Sequence, residues 1–196
     1  MEGGDRFERA VAAIDAANAD DPNRIVVRGE ERPKEVAHAE LASEWVRRLR
    51  PDAGEELLLA ARAHHVRRWS IPRESYPAGR AGYLKWRRAL HDLHSELTGE
   101  ILERAGYAPA AVERVQSIVR KRGLGRDPDV QALEDALCLV FLETQLHELS
   151  ARLDDEKMDG VVRKTLAKMS DEGRRLALSL ELGADDRAVL ERALAD

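Results

Sequence analysis

Apolar residues in this chain recur at three- and four-residue spacing, and only one short run, Ile25-Val26-Val27, reads as a β-strand. That periodicity points to packed helices, because a sheet needs several runs alternating at a period of two before it can bury a face. Phe7, Ala10, Val11 and Ile14 form one stripe and predict a first helix over about 5–17. Ala37, Leu41, Trp45 and Leu49 form a second, in a helix opening at Pro33, where a fixed φ and a missing N–H suit the first turn. Residues 57–61 are apolar all round and follow Glu55-Glu56, so a third helix is expected at the centre, with acids at its positive end. A loop rich in Pro and Gly, from about Ser70 to Gly82, precedes a fourth helix that stops at Gly106, a residue suited to a left-handed cap. A fifth spans Pro109 to Arg122, and a sixth opens on Asp127-Pro128 and runs to about Leu153. Two or three more follow, with Ser170 and Asp185 as caps.

The expected fold is all-α: a compact single-domain helical bundle of about eight or nine helices over residues 1–196. Its 196 residues are within what one core organises, and no repeat or long linker divides them. Cys138 is the single cysteine, so no intramolecular disulfide forms, as suits a reducing compartment. The start, MEGGDRFERA, lacks the features of a signal peptide, and no apolar run approaches the ~18 residues of a membrane span. A cytoplasmic protein without a membrane partner is therefore expected. The net charge of -5 argues against wholesale nucleic-acid binding.

Three helices carry histidine where an apolar residue would be expected. His38 shares a face with Leu41 and Trp45, and His94 lies on the stripe of Leu90, Leu97 and Ile101. His65 follows Leu57, Leu58 and Ala61, while His64 sits about a hundred degrees away beside Leu57 and Ala60, so one of the pair should face inward. Asp135 lies in the nearly all-apolar stretch LEDALCLVFL, and a buried carboxylate needs a charge, several donors or a metal. His38, His64, His65, His94 and Asp135 are thus candidate ligands for a divalent transition metal, with His65, His94 and Asp135 as catalytic candidates. The plainer reading makes each histidine a hydrogen-bonded core residue and Asp135 an N–H acceptor or ion-pair member. His91 reads as solvated or facing substrate, and His147 as a surface residue.

A second signal is the segment RRWSIPRESYPAGRAGYLKWRR, residues 67–88, with seven cations against Glu74. Arg68, Arg73, Arg80, Lys85 and Arg88 would hold phosphate, and Trp69, Tyr83 and Trp86 would stack on a base or a guanidinium. Alternatively the arginines stack on their own tryptophans and fix a long loop. Because the segment joins the His64-His65 helix to the His94 helix, it is expected to overhang the site.

The stretches RAHHVRRWSIPRESYPAGRAGYLKWRRALHDLH, RDPDVQALEDALCLVFLE and KTLAKMSDEG resemble a bacterial and fungal family of unknown function, sometimes labelled glutamyl-tRNA synthetase-like. The resemblance covers nearly the whole chain and implies no activity. Lys168-Met169-Ser170 matches part of a synthetase KMSKS loop, but Asp171-Glu172 depart from it and no strand–helix alternation supports a nucleotide-binding sheet. More distantly, the order of polar residues is similar to the HD superfamily of metal-dependent phosphohydrolases. There a first histidine, a His-Asp pair, further histidines and a late aspartate collect on a helical bundle. His38, His64, His94 and Asp135 match that order; His65 stands where the pair's aspartate would, and Arg120-Lys121 where another histidine would.

Three functions follow as expectations. The first is a metal-dependent hydrolase acting on a phosphorylated small molecule or nucleotide. The second is a non-catalytic module binding a nucleotide, nucleic acid or acidic partner. The third is a di-metal redox enzyme built from the same ligands.

Overall fold

The structure, a computed structural model, describes residues 2–195 and is all-α apart from one hairpin. Helices α1 (Glu2–Asn18), α2 (Lys34–Leu49), α3 (Glu55–Ala63), α4 (Gly79–Ala105) and α5 (Pro109–Val119) form the first part of the chain. They are followed by α6 (Pro128–Thr144), α7 (Leu146–Ser150), α8 (Asp155–Leu166), α9 (Asp171–Leu178) and α10 (Ala184–Ala195). Two short 3-10 turns, Arg68–Ser70 and Arg73–Ser75, lie in the loop before α4.

Ile25-Val26-Val27, read as too short for a sheet, does pair. β1 (Arg24–Val27) and β2 (Glu30–Pro33) form an antiparallel hairpin. Arg28 and Gly29 connect them with φ of 52° and 84°, the positive values that a two-residue hairpin turn needs. Among the described residues, ten α-helices replace the eight or nine expected, partly because the sixth predicted helix is two. Gln145 leaves helical geometry, with φ -125°, and separates α6 from α7. α5 ends at Val119 rather than Arg122, and α4 begins at Gly79, inside the expected loop. Ser170 caps α9 as expected, whereas Asp185 sits inside the first turn of α10.

The core explains why α3 sits centrally. Leu57, Leu59, Ala60, Ala61 and Ala63 are all buried, and α3 packs against α1, α2, α5 and α6. The small residues Ala60, Ala61 and Ala63 let neighbouring backbones approach, while Leu57 and Leu59 fill the space between them. α6, buried along much of its surface, packs on α2 and closes the other side. Its start is fixed by Asp127, which accepts from the N–H groups of Asp129 and Val130 and is gripped by both terminal nitrogens of Arg114. No helix among the described residues is long and apolar enough to cross a membrane.

Candidate metal centre and its cleft

The site begins with Asp21, which is buried between the hairpin and α2. One of its oxygens accepts the Glu35 backbone N–H at 2.9 Å; the other accepts from the Asn23 backbone and side chain. This fixes the first turn of α2, so that Glu35 and His38, three residues apart, project together into the interior. Both are buried, with 4% and 3% exposure.

α3 supplies the next pair. It ends at Ala63, and the chain turns through His64 to Arg67, which adopts left-handed geometry with φ 52°. The Asn18 side chain, buried at the end of α1, accepts the Arg67 N–H at 2.9 Å and holds that turn. Leaving the helix resolves the competition between the two histidines. Both reach the site, with ring centroids 4.2 Å apart, and the His94 ring on α4 lies 5.5 Å from that of His65.

Hydrogen bonds fix which nitrogen of three rings is bare. His64 Nδ1–H donates to Ala61 O at 2.8 Å and His94 Nδ1–H to Val66 O at 2.9 Å. A carbonyl only accepts, so each neutral ring keeps its lone pair on Nε2. Thr144 commits its hydroxyl hydrogen to Val140 O at 2.6 Å, so its oxygen accepts from His38 Nε2–H at 3.3 Å. His38 therefore turns a bare Nδ1 toward Glu35 Oε2, 3.7 Å away. His65 Nδ1 lies 3.3 Å from the same oxygen without forming a hydrogen bond. Glu35 Oε2, His65 Nδ1 and His94 Nε2 are buried and have no hydrogen-bond partner. Lone pairs facing a carboxylate in a dry interior repel unless a cation lies between them.

The ligand atoms of Glu35, His38 and His65 all lie within 4.8 Å of one another. Ligands about 2.1 Å from one ion in tetrahedral geometry lie about 3.4 Å apart, so the side chains would close in by up to about 1.4 Å to share one. The group could hold a metal ion. Its protonation agrees: the Glu35 carboxyl lies well below the usual carboxylate range, burial raising it and the neighbouring His65 lowering it more. Burial pushes His65 down to about 3 against the pull of Glu35, and His94 to about 3. Near neutrality the carboxylate is charged and these two rings are neutral, the forms a metal requires.

Asp135 does not join this group. Its Oδ1 accepts from the Ser170 backbone N–H and Gln131 Nε2, both at 2.9 Å, and its Oδ2 accepts from Ser170 Oγ at 2.5 Å. The buried carboxylate in α6 is answered by donors, and it pins the start of α9. Glu35 is the acid at the histidines, and sequence reasoning passed over it because a glutamate in a first helical turn reads as a dipole partner. The available signal was the Glu-x-x-His spacing of Glu35 and His38.

A cleft of about 320 Å³ opens over His64, His65 and His94. Arg68, Arg87, Lys121 and Lys168 line it against one carboxylate, Glu134, with an apolar wall that includes Leu137, Phe141 and Val161. Arg68 Nε approaches Glu35 Oε1 to 3.8 Å and so joins the cleft to the acid beneath it. His91, half-buried, lines the cleft, while His147 is on the surface. A second groove of about 370 Å³, between α1 and α4, includes Ala13, Leu97 and Ile101 but no histidine.

The basic segment divides. Arg68 and Tyr83 line the cleft; Arg73, Arg80, Lys85, Arg88, Trp69 and Trp86 do not. Arg73 donates to Tyr76 O and Pro77 O, Trp86 Nε1–H donates to Ile71 O, and Arg68 stacks over Trp86 at 4.8 Å. Arg73 and Trp86 thus stitch their own loop. Gly82 completes the closure, since a Cβ there would meet Pro77 O at 1.9 Å. Arg80, Lys85 and Arg88 are exposed, and Trp69 is half-buried. Lys121, Lys168 and Arg87, from three separate helix ends or faces, line the cleft where Arg73, Arg80, Lys85 and Arg88 were expected.

The fold and site define an all-α protein with a buried Glu/His cluster beneath a cationic cleft. The family model described as Domain of unknown function (DUF4202) matches residues 8–190, and the chain belongs to that family. No curated protein and no solved structure matches it.

Proposed function

We propose that this protein is a metal-dependent hydrolase acting on a phosphorylated small molecule or nucleotide in the cytoplasm. The observation that carries the reading is the meeting of two buried, unpartnered atoms, Glu35 Oε2 and His65 Nδ1, 3.3 Å apart and grouped with His38, beside a cleft rich in cations. Glu35, His38 and His65 would hold a divalent ion, with His64 and His94 presenting further lone pairs beside it. Such an ion supplies Lewis-acid activation when bound. Arg68 and Arg87 would bind the phosphoryl oxygens and oppose the charge that develops on them. Relative to the HD-type order that the sequence resembles, His65 stands in place of the pair's aspartate, and Glu35 rather than Asp135 would supply the acid.

Metal analysis of untagged protein, paired with a phosphoester and nucleotide screen, tests this. About one or two equivalents of a divalent transition metal are expected, falling on Glu35→Ala or His65→Ala together with turnover. Protein with no stoichiometric metal, whose His38→Ala variant behaves like wild type in the screen, would sink the reading. Undiminished phosphate binding after chelation, with no turnover under any added metal, would instead identify a binding module.

A further inference from the structure

The cations of the cleft are not one cluster but a row. Arg68 stands at the metal end, within electrostatic reach of Glu35 and of Arg87. Arg87 lies 3.3 Å from His91 Nε2, to which it donates, and His91 in turn feels Lys121 and Glu134. At the far end the buried Glu134 lies between two lysines: one oxygen pairs with Lys121, and the other lies 3.6 Å from Lys168 Nζ.

Lys121 holds its place at a backbone cost. It is the second residue past α5, after the capping Arg120, where Arg122 N–H returns to Ser117 O at 3.0 Å and Lys121 N–H to Ile118 O at 2.8 Å. That closure needs a left-handed residue, and Lys121 has φ 56° where glycine is favoured. A strained residue that also aims a charge into a cleft motivates a functional role.

We propose that the cleft takes a ligand with two phosphoryl groups, a diphosphate or bisphosphate, one at the Arg68–Arg87 end and the other on Lys121 and Lys168. This rests on reading the cleft as a phosphate site. A second phosphoryl group is the occupant that fits, because it carries up to about two negative charges and can compete with a single carboxylate for two ammonium groups. Glu134 then acts as the lysines' resting partner and orients them before the ligand arrives.

Isothermal titration of the full chain, stripped of metal and dialysed free of chelator, tests the pair of subsites with inorganic pyrophosphate and orthophosphate as probes. Wild type is expected to hold pyrophosphate at least about tenfold tighter than orthophosphate, the effect of one added charge-assisted contact. Lys168→Met should remove most of that preference and leave orthophosphate within about twofold. Glu134→Gln, which frees both lysines, should tighten pyrophosphate about threefold or more, a gain that misfolding cannot mimic. Equal or undetectable binding of both anions by wild type, or an unchanged preference in Lys168→Met, overturns the proposal. Orthophosphate binding that persists while the preference fails would leave the phosphate-site reading standing, and metal content reports separately on the hydrolase.

Discussion

Replacing Asp135 by alanine separates the architecture from the chemistry. Three donors converge on this carboxylate: the Ser170 N–H, Ser170 Oγ–H and Gln131 Nε2. Gln131 loses least, because its amide also donates to Lys168 O. Ser170 loses more, since its N–H and hydroxyl hydrogen are left without their acceptor, although its oxygen still caps Gly173 N–H at 3.1 Å. Two hydrogen bonds to a charged acceptor, counted as partly overlapping, give a cost of about 2–4 kcal/mol. For a domain of this size each kcal/mol lowers the melting temperature by about 2–4 °C, so a fall of roughly 5–15 °C is expected. Asp135→Asn keeps an acceptor for one of the two Ser170 donors and should lie between. Thermal melts followed by circular dichroism, with metal stoichiometry measured on the same samples, check this. A variant that keeps its melting temperature but loses its metal would refute the reasoning and return Asp135 to the ligand set.

Three further outcomes follow from the structure. In metal-free protein, His65 and His94 are depressed to about 3 and His91 to about 4 by burial, against an ordinary value near 6.5. Protonation therefore favours the unfolded chain: stability is full above about pH 6.5 and falls as pH drops toward the folded values, with more than one proton taken up on unfolding. Melts between pH 7.5 and 5 read this out, and a flat profile would contradict it. Gly173→Ala would place a methyl 2.8 Å from Asp135 Cγ, and overpacking of that kind should cost about 1–3 kcal/mol in chemical denaturation; a neutral result would mean that α9 can shift freely. Arg73→Ala should speed proteolytic cleavage within residues 71–79 and leave metal content unchanged, because its hydrogen bonds go to that loop's own carbonyls; loss of metal would place the loop's closure within the site's support.

Much of the site was legible as residue types on helix faces. His38 and His94 each occupy a stripe position among leucines, and both are buried as that position requires. His64 and His65 could not be resolved on a helix, because consecutive residues diverge by about 100°. The turn at Arg67 removes the helix that posed the choice. Asp135 was correctly read as a buried acid in need of partners, but two of its three donors come from Ser170, thirty-five residues away, whose position no local pattern encodes. The basic segment was legible as a concentration of charge, yet Arg73 spends its donors on carbonyls three and four residues ahead.

The sequence by itself determined the all-α class, several helix boundaries and the inward faces, because these depend on 3.6-residue periodicity and on proline, glycine and capping residues acting within a few positions. The tertiary structure alone decided which acid meets the histidines and which cations meet the cleft. Glu35 reaches His65 only because Asp21 fixes the start of α2 and Asn18 fixes the turn after α3. Lys121 and Lys168, from different parts of the chain, meet at Glu134 only through packing. Convergence of this kind is a matter of distance between segments, and local propensity carries no term for it.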